Sequence, residues 1–102
     1  MTEEVRVALA EDDAIIRLDL RETLEEEGYT VVGDTGRGDE MLELVAATNP
    51  EVVILDIKMP GMDGIEVARC IAESHGAAVV ILTAFSQREF VDQAIEAGAL
   101  AY

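Results

Sequence analysis

The sequence predicts an α/β domain in which helices cover both faces of a mostly parallel sheet. Three observations carry that expectation. Short segments rich in Val, Ile and Leu alternate with segments whose apolar residues recur at helical spacing. Two of the short segments, 52–55 and 79–82, are unbroken apolar runs of the kind found in strands covered on both faces. The length, 102 residues, suits one domain and not two.

The elements follow in order. Residues 5–10 place branched or bulky apolar side chains at alternate positions and read as a strand. After Glu11-Asp12-Asp13, residues 14–28 read as a helix, with Ile16, Leu20 and Leu24 on one face and Gly28 as its stop. Residues 29–32 form a second strand ended by Gly33, and Gly36-Arg37-Gly38 is a loop. A second helix spans 39–48, its stripe made of Met41, Leu42, Val45 and Ala46, and Asn49-Pro50 ends it. The apolar run 52–55 is a third strand, and Asp56 follows it directly. A loop over 58–64 carries Pro60, Gly61 and Gly64. A third helix over 65–74 aligns Ile65, Ala68 and Ile71. The run 79–82 is a fourth strand followed by Thr83, residues 86–97 are a fourth helix, and 99–102 begin a fifth strand.

Composition excludes several classes. Half of the residues are apolar and 28% are charged, enough for a packed core and too balanced for disorder. No apolar run approaches the roughly 20 residues that cross a bilayer, and the acidic start Met1-Thr2-Glu3-Glu4 is no secretory signal. Cys70 is the sole cysteine, so no internal disulfide is expected, and it reads as a packing residue in a cytoplasmic protein. With 22 acidic and 7 basic residues, the net charge is −15, which argues against direct binding of nucleic acid.

Function follows from placement. In open parallel sheets, ligands sit outside the C-terminal ends of the strands. The residues expected there are Glu11-Asp12-Asp13, Asp56 and Thr83. Crowded carboxylates repel one another unless a cation lies between them. A hard divalent ion with oxygen ligands, Mg²⁺ above all, suits such a set. A strand-end Asp can then attack a phosphoryl donor, with a hydroxyl such as Thr83 bonding a phosphoryl oxygen. The competing structural role, capping the next helix, fits Asp13 taken alone.

Ala10-Glu11-Asp12-Asp13, Val53-Ile54-Leu55-Asp56-Ile57-Lys58-Met59-Pro60-Gly61-Met62-Asp63-Gly64 and Leu82-Thr83-Ala84 together resemble the receiver domain of two-component response regulators. The resemblance implies a flavodoxin-like, doubly wound sheet of order 2-1-3-4-5. It implies that Asp56 is the phosphoacceptor and that Glu11, Asp12, Asp56 and the backbone carbonyl of Lys58 hold Mg²⁺, Glu11 through water. It makes Thr83 the switch hydroxyl and Tyr102 the switch aromatic, and a sensor histidine kinase the phosphoryl donor. Residues 11–20 and 82–89 more narrowly resemble receivers of ANTAR-type antiterminator regulators, whose RNA-binding module follows the receiver and would lie past Tyr102. The family's fifth-strand Lys and fifth helix would also lie past Tyr102. The chain is therefore expected to be one receiver domain over 1–102, truncated at its C-terminus and prone to self-association.

Two other functions compete. A phosphatase with an aspartyl-phosphate intermediate would carry a second Asp where this chain has Lys58. A pseudo-receiver, an interaction module that takes no phosphate, fits the missing Lys but not the intact Glu11, Asp12, Asp56 and Thr83. His75, Met59, Met62 and Gly61 read as surface, packing or turn residues.

Overall fold

The computed structural model describes residues 4–74 and 76–82. Its elements are β1 (Arg6–Ala10), α1 (Ala14–Glu26), β2 (Thr30–Thr35), α2 (Gly38–Thr48), β3 (Val52–Asp56), α3 (Gly64–Ser74) and β4 (Ala78–Leu82). The strands pair in parallel, in the order β2-β1-β3-β4. The expected helix over 86–97, the strand over 99–102, and Thr83, Tyr102 and His75 lie outside the described residues.

The strand order dictates the layers. The crossover from β1 to β2 moves one way along the sheet, and the crossovers to β3 and β4 move the other way. Right-handed connections therefore place α1 on one face and α2 and α3 on the opposite face. The α2/α3 face is the packed one. Ala8, Ala10, Val53, Leu55, Val79 and Ile81 are buried there against Met41 and Val45 of α2 and Ile65, Val67, Ala68 and Ile71 of α3. The α3 stripe thus forms as its spacing predicts, with Val67 added. In α2, Leu44 packs on the core and Ala46 is exposed, so the stripe turns slightly from the predicted one.

The α1 face is thinner. Val7 and Leu9 are buried in β1, but Val52, Ile54 and Val80 are only half-buried. Double coverage of the two apolar runs is therefore complete only for their alternate residues among those described. No residue of α1 is buried, and Ile16 is 48% exposed. The half-buried positions are Arg17, Leu20, Arg21 and Leu24, an i, i+3, i+4, i+7 stripe in which arginine stems take places that an apolar count leaves blank.

Two boundaries differ from the sequence expectation. Helix α1 stops at Glu26, and the amides of Gly28 and Tyr29 donate back to the carbonyls of Glu25 and Leu24, with Gly28 at φ +95°. Strand β2 does not end at Gly33 but runs to Thr35. Val7 pairs with Val31 and Ala8 with Gly33, so Val32 is the extra residue of a bulge, and pairing resumes to Ala10–Thr35. Asp56 itself belongs to β3, opposite Leu82.

Candidate functional site

The sheet order reverses direction between β1 and β3, and the crevice at that reversal is the expected ligand position. Both flanking strands end in carboxylates there. Beyond β1, the Glu11 amide still donates to the Thr35 carbonyl at 3.0 Å, so Glu11 continues the strand line before the chain turns. Asp13 then caps α1. Its Oδ1 accepts from the amides of Ile15 at 2.9 Å and Ile16 at 3.1 Å, which satisfies two orphan donors of the first turn. Its own amide donates to Glu11 Oε1 at 3.1 Å. Asp13 is therefore structural, and Glu11 and Asp12 are left to face Asp56.

Glu11, Asp12 and Asp56 each offer a carboxylate oxygen within 4.8 Å of the others. Glu11 is buried, Asp56 half-buried and Asp12 exposed. The crowding has the expected electrostatic cost. Burial, then the Asp56 and Asp12 charges, raise the Glu11 carboxyl from 4.5 to about 7, against the lowering effect of the Asp13 amide. Asp56 is also raised, chiefly by burial and next by the Asp12 charge. An all-oxygen set of three acids that resists full ionisation fits a small divalent cation such as Mg²⁺.

The loop after Asp56 is fixed from both ends. The Gly64 amide donates to the Ile57 carbonyl at 2.6 Å, and the Gly38 amide at the start of α2 donates to the Pro60 carbonyl at 3.1 Å. A side chain at Gly64 would run into the Asp56 carbonyl, and one at Gly38 into the Met62 carbonyl. Asp63 Oδ1 accepts from the Glu66 amide at 2.9 Å and so caps α3. Lys58 is exposed in this loop, two residues after Asp56.

Of the predicted site residues, the structure brings Glu11, Asp12 and Asp56 together with the Lys58 loop alongside. Thr83 and Tyr102 lie outside the described residues. Sequence reasoning missed Asp34, which pairs with Arg17 and Arg21, and the connection from Arg17 to the Glu11 carbonyl. Nothing in the sequence marks these contacts, because they depend on β2 reaching past Gly33 to run beside β1.

Known proteins resemble this arrangement over nearly the whole chain. Residues 7–102 match the family model of the response regulator receiver domain. The chain is 54% identical over 97 residues to the transcriptional regulatory protein PdtaR of Mycobacterium tuberculosis, a match covering 95% of this chain and 47% of that protein. The chain thus spans about half the length of the curated relatives it matches first. It superposes with a TM-score of 0.92, at 33% identity, on a two-component response regulator of the LuxR family from Aurantimonas sp. SI85-9A1, covering 98% of this chain and 73% of that one. The BeF3-activated N-terminal receiver domain of Klebsiella pneumoniae RstA gives a TM-score of 0.90 at 29% identity, covering 95% of this chain and 80% of that one.

Proposed function

Because the chain belongs to the response regulator receiver domain family, we propose that it is a phosphoacceptor switch whose acceptor is Asp56. The observation that carries this reading is the meeting of Glu11, Asp12 and Asp56, from two strand ends, within 4.8 Å. The donor is a phosphohistidine on a sensor histidine kinase. An Asp56 carboxylate oxygen attacks phosphorus, the P–N bond breaks, and the imidazole leaves and takes up a proton. Strand β3 carries Asp56 to the acidic turn, so its carboxylate already lies beside those of Glu11 and Asp12, which lowers the entropy cost of assembling the site.

Mg²⁺ is the proposed cofactor, held by Asp12, Asp56, the Lys58 carbonyl and, through water, Glu11. When bound it supplies positive charge that offsets the carboxylates and the phosphoryl oxygens. Thr83 and Tyr102 are the proposed switch residues. The domain acts in the cytoplasm, is no enzyme beyond its own phosphorylation and dephosphorylation, and signals to an output partner, an RNA-binding antiterminator module being the one its sequence suggests.

The test is incubation with acetyl phosphate and Mg²⁺ followed by intact-mass measurement. One phosphoryl group should add to the unchanged protein and none to Asp56→Asn. A phosphoryl group mapped to another side chain, or none at all in the unchanged protein, overturns the reading.

A further inference from the structure

Arg17 has an unusual pair of partners. Its Nη1 donates to the Glu11 carbonyl at 2.7 Å, and its Nε lies 3.1 Å from Asp34 Oδ1 on β2. Arg21 Nη1 holds the other oxygen of Asp34. The Asp34 carboxylate is thus fixed on both sides, and it in turn fixes the plane of the Arg17 guanidinium. The side chains of Arg17 and Asp34 are only 23% and 24% exposed, so the link is shielded from solvent on most sides. The backbone at Gly36 leaves room for it. A Cβ there would lie 2.7 Å from Arg17 Nη1 and 3.6 Å from both the Asp12 Cα and the Glu11 carbonyl oxygen.

We propose that Arg17, anchored on Asp34, is a positioning residue that sets the Glu11-Asp12 turn so that its carboxylates meet Asp56 in the geometry a divalent cation requires. The inference rests on the reading of the site given above. The peptide between Glu11 and Asp12 carries one metal-site residue on each side, and its carbonyl is the atom Arg17 grips. Rotation of that peptide would swing Asp12, which is exposed. Only a guanidinium serves both ends, because its nitrogens form a rigid planar fork, whereas a lysine offers a single nitrogen. Groups that orient metal ligands from behind usually affect metal affinity by about 10- to 100-fold.

Charge and position predict opposite signs here, which makes the role measurable. Arg17 is a cation beside a cation site. If its charge were all that mattered, removing it would strengthen Mg²⁺ binding. If it positions the turn, removing it weakens binding despite the electrostatic gain.

The experiment is calorimetric titration of the metal-free 102-residue chain with MgCl₂, with folding of each protein checked by circular dichroism. The variants are Arg17→Met, which keeps the stem, Arg17→Lys, which keeps the charge, and Gly36→Ala, which keeps both and only displaces Nη1. Kd should rise about tenfold in Arg17→Met and Gly36→Ala, and by less in Arg17→Lys. If Arg17→Met fails to fold, Gly36→Ala alone decides, since its collision is with the far end of a flexible side chain. Unchanged or tighter binding in a folded Gly36→Ala or Arg17→Met overturns the inference about Arg17. Absence of Mg²⁺ binding in the unchanged protein overturns the reading of the site itself.

Discussion

At the scale of single residues, the acidic site trades stability for chemistry. Glu11 sits near pKa 7 in the folded chain against 4.5 when unfolded, and Asp56 is raised as well. A carboxyl whose folded value is raised contributes stability that is fully present below the unfolded value and is lost as pH rises through the folded one. The metal-free protein should therefore become less stable between pH 4.5 and about 7. Asp39, held below the usual carboxylate range by Arg37, works in the opposite direction, but only at lower pH, outside this window. Denaturant midpoints measured across the window in a chelator should fall with rising pH, by a net change on the order of 1 kcal/mol once solvent screening is allowed for. Asp12→Asn removes a like charge from beside both groups, so it should flatten the slope and raise the metal-free midpoint near neutral pH. A midpoint that climbs through the window would show that burial and the neighbouring charges together do not raise these two carboxyls in the folded chain.

At the scale of elements, the loop between β3 and α3 is a rigid strap, and its rigidity comes from close backbone approach. Gly64 lies against the Asp56 carbonyl and the Ile57 Cα, and neither is a side chain that can yield. Gly64→Ala should therefore cost about 1–3 kcal/mol, as overpacking does in cores, and should displace the acceptor at the same time. Urea denaturation and the rate of phosphorylation by acetyl phosphate report the two effects separately, and Glu73→Ala on the exposed side of α3 serves as the neutral control. A Gly64→Ala protein matching that control in both measurements would mean the loop tolerates movement at the acceptor. The same segment shows why some elements were legible and others were not. The unbroken run before Asp56 and the three-four spacing in α3 are local patterns, and both elements formed where those patterns put them. The extension of β2 through Gly33-Asp34-Thr35 was not legible. Those residue types favour turns, and only pairing with Ala8, Leu9 and Ala10 of β1 makes them a strand. The inner face of α1 was legible only in part, at Leu20 and Leu24, for a related reason. Arg17 and Arg21 cover the sheet with their stems while their charged ends meet Asp34, and an apolar count cannot register that.

At the scale of the molecule, the candidate site was legible because topology and charge pointed to the same place. Alternating elements imply a parallel sheet, a parallel sheet implies a crevice at its strand ends, and four acids, Glu11, Asp12, Asp13 and Asp56, stand at two of those ends. Thr83 was placed by its position after the fourth strand, whereas its switch role and that of Tyr102 were carried only by family resemblance, and both residues lie outside those described. The net charge of −15 adds a second electrostatic effect, and it must be separated from the site. General self-repulsion is relieved by any salt, because the Debye length falls from about 30 Å at 0.01 M to about 8 Å at 0.15 M. The melting temperature should therefore rise with NaCl over that range and then level off. Cation binding at Glu11, Asp12 and Asp56 stabilises differently, by mass action on the folded state, as RT ln(1 + [Mg²⁺]/Kd). At matched ionic strength, millimolar MgCl₂ should raise the melting temperature beyond the NaCl value, continue to raise it with the logarithm of concentration, and do so less in Asp12→Asn. If NaCl reproduces the whole effect, the stabilisation is screening of the −15 surface, and the three carboxylates hold no specific cation.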